Sequence, residues 1–192
     1  KNSKNIVDVG CGGGWLVNNI SYHYPDKNVI GIDFNPEALK FAKKVSENLK
    51  NKIDLQEISL FDFNSEKKFD LVISIGVLHH THDCLKALDK TCKFGNDEST
   101  IYVGLYHKYG RKPFLDFVQK INHLEEEEKF KRYKEIHKLS DEMHLKSWFR
   151  DQVLHPHETQ HTLFEVMNIF EKNNYKFIGT SINNFNISEN ID

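Results

Sequence analysis

The run Ile6-Val-Asp-Val-Gly-Cys-Gly-Gly-Gly-Trp-Leu16 constrains this chain more than any other. Ile6 to Val9 reads as a buried strand of branched residues. It runs straight into a glycine-rich turn and then into a helix that begins near Trp15. Gly10, Gly12 and Gly14 permit positive φ and let a ligand lie against bare backbone. The first amides of the helix and the positive end of its dipole then face whatever fills the turn. Such a turn after a first parallel strand is a place for a nucleotide-like cofactor.

The spacing narrows the choice. A dinucleotide fingerprint counted from Gly10 needs its third glycine at position 15, and that residue is Trp15. A P-loop needs Gly-Lys-Ser/Thr, which does not follow. What stands here is Asp8-x-Gly10-x-Gly12-x-Gly14. It resembles the first motif of the class I S-adenosylmethionine-dependent methyltransferases. The resemblance implies that Asp8 and the backbone of Gly10, Cys11, Gly12 and Gly14 hold the methionine end of S-adenosyl-L-methionine.

Strand and helix patterns then alternate, which predicts an α/β fold: a Rossmann-like, doubly wound, mostly parallel sheet. A first helix runs to about Tyr24 and stops before Pro25. Val29–Asp33 reads as the second strand, and Asn35-Pro36 opens a helix to about Leu49 with Asn35 as cap. Further strands are expected at about Ile53–Ile58, Phe69–Ile75 and Thr100–Leu105. A helix from about Cys84 to Phe94, ended by Gly95, joins the last two. Residues 106–150 break the alternation: they are polar, helical and rich in lysine and glutamate. They read as a helical insertion after strand five that either closes over the carboxyl edge of the sheet or is a solvated hairpin. With its return limb it occupies residues 106–155 of one methyltransferase domain spanning residues 1–192. A helix from about Pro156 to Asn173 and a strand near Lys176–Ser181 complete the pattern. The family usually has a helix before the first strand, so the start at Lys1 points to an N-terminal truncation.

Composition excludes several classes. With 26 basic and 28 acidic residues no global field draws the chain to nucleic acid. The longest apolar run, Leu71–Leu78, is far too short to span a bilayer. Three cysteines without a Cys-x-x-Cys fit reduced thiols and a cytoplasmic setting. Cys11 is either a reactive thiol or a small residue in a non-glycine slot.

Asp33 lies about twenty residues beyond the glycine turn, where a carboxylate accepts both hydroxyls of a ribose, with Phe34 beside it. The segment Phe69-Asp-Leu-Val-Ile-Ser-Ile-Gly-Val-Leu-His-His-Thr-His-Asp83 looks like the fourth-strand motif of the same family. The likeness puts Ile75 and Gly76 beside the transferred methyl and His79, His80 and His82 in the loop that follows. For adenine the register offers Ser59 and Leu60, with Leu60 and Phe61 as a sandwich, or Asp62 at the amino group. Tyr106, Tyr109 and Arg111 follow strand five and are the expected acceptor contacts, an arginine there being able to pair with a carboxylate or phosphate. The alternative for Arg111 and the tyrosines is to pin the insertion to the core. His79, His80 and His155 are the candidate general bases.

His157-Glu158-Thr159-Gln160-His161 matches His-Glu-x-x-His, whose zinc chemistry needs both histidines on one helical face. Here the motif begins directly after Pro156, and no second motif supplies a third ligand, so no metal is expected. A corner of His155, His157 and Glu158 in the substrate pocket is the expectation instead. The reading is methyl transfer from S-adenosyl-L-methionine to an acceptor, a small molecule before a protein side chain, without nucleic acid or membrane. Its rivals are a methyltransferase-like domain that only binds and a nicotinamide-dependent oxidoreductase.

Overall fold

The computed structural model describes residues 3–137 and 140–180. Five strands form one sheet: β1 (Asn5–Val9), β2 (Asn28–Asp33), β3 (Ile53–Glu57), β4 (Phe69–Ile75) and β5 (Gly95–Gly104). All pairings are parallel and the order is β3-β2-β1-β4-β5. Helices α1 (Trp15–His23), α2 (Pro36–Leu49) and α3 (Cys84–Cys92) connect them, with a 3₁₀ turn at Leu78–His80. Helices α4 (Lys108–Ile121), α5 (Glu126–Ile136), α6 (Glu142–Gln152) and α7 (Leu163–Lys172) follow β5.

Alternation along β1 makes this a doubly wound sheet. Val7 and Val9 face a core shared with Val72, Ala87, Leu88, Cys92 and Val166, so α3 and α7 cover that side. Cys11, Val17, Val29 and Leu39 form the core of the other side, under α1 and α2. Strand order reverses between β1 and β4, which opens a crevice at their carboxyl ends. At the opposite end Asp70 is structural, its carboxylate accepting the backbone N–H of Lys4 at 2.7 Å and of Asn5 at 2.8 Å.

Asn35 caps α2 as expected, its side chain accepting from Glu37 and Ala38 N–H with Pro36 at the first helical position. Other boundaries differ from the sequence reading. Gly95 does not end α3; Lys93 is the cap, and Gly95 is the first residue of a β5 that starts five residues earlier than expected. The early part of β5 is held by Asn96 N–H donating to Ser99 Oγ, beside a register shift opposite Phe69 and Leu71. The helix read from Pro156 begins only at Leu163, where Thr162 and Glu165 form a capping box. Residues 176–180 carry no strand, and Ser181 lies outside the described residues.

The three helices α4–α6 gather a cluster of their own around Tyr133, Leu145 and Phe149, lined by Phe114, Phe117 and Phe130. In α5 Glu126, Glu127 and Glu128 occupy the first turn and Lys134 the last, in the order the helix dipole favours. Among the described residues no helix is long and apolar enough to cross a membrane.

Candidate functional site

The glycine turn sits at the switch point of the sheet. Gly10, Gly12 and Gly14 have φ of 77°, 50° and 77°, a region closed to most side chains. A Cβ at Gly10 would strike the side chain of Val77 from the loop after β4, so the two loops meet across the crevice. At Gly14 a Cβ would lie 2.5 Å from that of Ala42, which lets α2 press against the start of α1. Gly10 and Cys11 N–H both donate to Ile32 O, at 2.8 and 3.0 Å, tying the turn to β2. Asp33 completes it: one carboxylate oxygen accepts from Gly12 N–H and the other from Asn35 N–H, each at 2.8 Å. Each oxygen keeps a lone pair for a further donor. Phe34 and Trp15 are exposed beside it.

Asp8 lies under this turn, 4% exposed, and among the described residues no donor reaches its carboxyl group. Burial first, and then the nearby Asp33 carboxylate, push its pKa up to about 7. Cys11 is not a reactive thiol. Its Sγ is packed over Gly31, and burial with the two carboxylates pushes its pKa up to about 12. As a cofactor contact Cys11 therefore offers backbone and not its side chain.

Across the crevice Ile75 is exposed, and Gly76, at φ 73°, has open space where a Cβ would project. Beyond β3 the chain turns through Ser59, whose carbonyl accepts from Asp62 and Phe63 N–H. Leu60 is turned into the main core and is no half of an adenine sandwich; apolar burial claims it. Phe61 stacks on His82 at 4.5 Å between ring centroids, and Asp62 is exposed.

The structure encloses two of the three candidate histidines. His79 is 1% exposed, with neither ring nitrogen hydrogen-bonded, and lies 4.0 Å from the Tyr106 ring. Burial, helped by neighbouring His80, lowers its pKa to about 4, so it is neutral at pH 7. His80 is enclosed too. Its Nδ1 is 2.8 Å from His157 O, and a carbonyl only accepts, so Nδ1 carries a proton. Its Nε2 is buried 3.6 Å from the Asp151 carboxylate. Burial pulls the His80 pKa down, but Asp151 and the His157 carbonyl outweigh it and raise it. The His80 bond in turn holds Asp151 below the usual carboxylate range. His155 is the one of the three with an exposed ring; it stacks on His80 at 3.8 Å and its Nδ1 meets His157 O at 2.7 Å.

Arg111 takes the pinning role that the sequence left open beside the acceptor role. It is 8% exposed and already bound: Nη2 and Nε donate to Glu158 at 2.7 and 3.1 Å, and Nη2 to Gln152 O at 3.3 Å. The guanidinium is sandwiched between the rings of Tyr106, 3.9 Å away, and Phe114, 4.2 Å away. It is a clasp between α4 and the loop before α7, with Nε and Nη2 both engaged and the two ring faces covered. Burial raises the Glu158 pKa, but Arg111 overrides it and holds the carboxylate low. Tyr106 reaches Asp151 at 3.4 Å, and burial pushes its hydroxyl up to about 12. Tyr109 is exposed in the first turn of α4.

The His-Glu-x-x-His segment is not helical. His107 and His161 form a parallel bridge, with His161 N–H on Tyr106 O at 3.0 Å and Lys108 N–H on His161 O at 2.9 Å. The motif's side chains diverge: His157 Nε2 to Thr81 O, Glu158 to Arg111, His161 Nε2 to Thr159 Oγ1.

Two residues were not foreseen. Asn18, buried in α1, donates through Nδ2 to Gly14 O at 3.0 Å and Ala42 O at 3.2 Å and so braces the turn. Its signal in the sequence is an asparagine in an apolar helix face four residues after Gly14. Asp151 is the other, as the carboxylate shared by His80 and Tyr106.

A family model described as a methyltransferase domain matches residues 1–176. The chain belongs to this methyltransferase family. This methyltransferase domain is 33% identical over 96 residues to the ubiquinone biosynthesis O-methyltransferase of Actinobacillus pleuropneumoniae, covering 47% of this chain and 40% of that one. It is 29% identical over 113 residues to N-methyltransferase 4 of Papaver somniferum, covering 56% of this chain and 32% of the other. The chain spans 19% to 44% of the length of the curated relatives it matches. Its fold is that of PKMT2 from Rickettsia typhi, solved in complex with AdoHcy, at TM-score 0.70 and 19% identity over 88% of this chain and 38% of that one.

Proposed function

We propose that this methyltransferase domain binds S-adenosyl-L-methionine at the carboxyl edge of β1 and β2 and transfers its methyl group to a small-molecule acceptor. The observation that carries this reading is the turn of three left-handed glycines at the switch point, with Asp33 at the end of the neighbouring strand. The residues present fit the group. Asp8 is a buried carboxyl with no donor among the described residues, suited to an ammonium, and the remaining lone pairs of Asp33 suit ribose hydroxyls. Gly10, Gly12 and Gly14 would offer backbone, Phe34 an exposed ring edge, and Asp62 or the Ser59 turn an acceptor for the adenine amino group. Ile75 and Gly76 would line the methyl side.

When bound, the cofactor supplies an electrophilic methyl whose transfer is an in-line displacement. The chain then needs to position the acceptor and exclude water. Tyr109 and His155, exposed at the base of the helical insertion, would meet the acceptor, with His155 available to take a proton. The small-molecule preference draws on relatives named for ubiquinone biosynthesis and on the near-even charge, which supplies no net attraction to nucleic acid. Three unpaired, buried thiols fit a cytoplasmic setting.

Calorimetry with S-adenosylhomocysteine and with NAD tests the cofactor. The homocysteine compound binding and NAD failing to bind supports the reading; the reverse overturns it. Incubation with labelled S-adenosylmethionine and a metabolite extract then tests transfer. A labelled small product supports an enzyme, and cofactor binding without any labelled product leaves a binding domain.

A further inference from the structure

Asp8 is an unusual group to find beneath a cofactor turn. It is almost fully buried in β1, and among the described residues nothing donates to it. The charged or titratable groups it feels there are the Asp33 carboxylate at the end of β2 and the Cys11 thiol of the turn. Neither compensates a negative charge: Cys11 stays a neutral thiol, and Asp33 is held as an acceptor by Gly12 and Asn35 N–H. The β4 residue beside it, Ile73, brings no charge either. A carboxyl group so placed is more stable with its proton on until a cation arrives.

We propose that Asp8 is protonated in the unliganded chain and releases its proton to solvent when the ammonium-bearing end of the cofactor enters, so that binding and proton release are one event. This rests on the cofactor reading given above. It adds that the two acidic residues of the site divide the work. Asp33 is a permanent acceptor, fixed by backbone donors whether or not ligand is present. Asp8 is a conditional counter-ion, whose charge exists only opposite a cation. The unliganded site thereby avoids two facing carboxylates with no cation between them. Ligands that lack the amino-acid end gain nothing from Asp8.

Calorimetry of S-adenosylhomocysteine in two buffers of different ionisation enthalpy measures the proton directly. About one proton is expected to leave per ligand bound near pH 6, falling toward none by about pH 8, with affinity weakening up to about tenfold per pH unit below about 7. 5′-Methylthioadenosine, which has no ammonium, is expected to bind without proton release. Asp8→Asn is expected to abolish the release and flatten the pH profile for S-adenosylhomocysteine. A carboxyl-carbon NMR titration of the parent chain is independent of that variant: the Asp8 signal should titrate near 7 alone and well below that with ligand. Binding of S-adenosylhomocysteine near pH 6 with no proton released, or an Asp8 already ionised there in the free chain, overturns the proposal and leaves the cofactor reading standing. Absence of S-adenosylhomocysteine binding at every pH overturns both.

Discussion

Replacing Arg111 separates a clasp from an acceptor contact. Its two bonds to Glu158, at 2.7 and 3.1 Å, are charge-assisted and nearly free of water, and each is worth about 1.5–3 kcal/mol. The Tyr106 and Phe114 rings add a smaller contribution, of the order of 1 kcal/mol. Arg111→Met removes these and leaves Glu158 largely buried without its cation, so the expected loss is about 3–5 kcal/mol, a large part of the stability of a domain. Pairing it with Glu158→Leu removes the stranded charge and should recover most of that loss, since buried ion pairs often give way to apolar pairs at little net cost. Urea unfolding followed by circular dichroism gives all four corners of the cycle. A coupling near zero, or an Arg111→Met variant within about 1 kcal/mol of the parent, would refute the clasp and return Arg111 to the acceptor side.

Asp33→Ala should weaken S-adenosylhomocysteine at least tenfold and also lower the melting temperature, because Gly12 and Asn35 N–H lose their acceptor; unchanged affinity by calorimetry would show that Asp33 serves the turn alone. Asp8 has a folded pKa above its unfolded one, so the folded chain holds the proton more tightly and stability falls as pH rises from 3.8 to about 7. Asp8→Asn should therefore be more stable than the parent at about pH 8, by up to about 4 kcal/mol, and close to it near pH 4 in thermal melts without ligand. The His80–Asp151 pair has a dependence of the same sign in a higher pH window: His80 is raised, so its contribution is complete below its ordinary 6.5 and lost as pH climbs through the raised value. Asp151→Asn should accordingly cost about 1 kcal/mol near pH 5.5 and less near pH 8.5, a small figure because Asp151 is half-exposed. His79, lowered to about 4, works against the pair as pH falls below 6.5, so its replacement by Gln in the same unfolding series should improve acid tolerance.

The strand, turn and helix from Ile6 to His23 were legible because every local signal agrees: branched residues, glycines at alternate positions, then an apolar stripe. Asp33 was legible for the same reason, since a parallel strand fixes where its last residue stands. The acceptor side was not. Whether Arg111 faces a ligand or Glu158 depends on a contact between residues 47 positions apart, which no local pattern encodes. His-Glu-x-x-His spacing implies one face only if the segment is helical, and backbone bonds to Tyr106 and His79 hold it extended instead. The later start of α7 was readable in Thr162-x-x-Glu165, a signal that Pro156 outweighed in the sequence reading. The inward turn of Leu60 was not legible, because proximity in sequence to a ligand turn does not say which way a side chain points.

The bridge between His107 and His161 gives the helical segment a neck. The chain leaves the sheet edge at Tyr106 and returns to the same edge at His161, the two strands of the neck joined by backbone bonds of 3.0 and 2.9 Å. Everything between is an excursion whose ends are already together. Its length can drift at little thermodynamic cost, each doubling of a closed loop adding about 0.6 kcal/mol. The glycine turn lies outside the excursion and is linked to it through the loop after β4, where Val77 packs on Gly10 while His79, His80 and Thr81 meet Thr159, Asp151 and His157. A lineage that exchanged the helices beyond it would need to keep the contacts of the return limb with the loop after β4, and Asp8, Gly10 and Asp33 would stay on their own strands and turn. The neck is thus a natural grafting point for helices, set apart from the strands and turn that carry Asp8, Gly10 and Asp33.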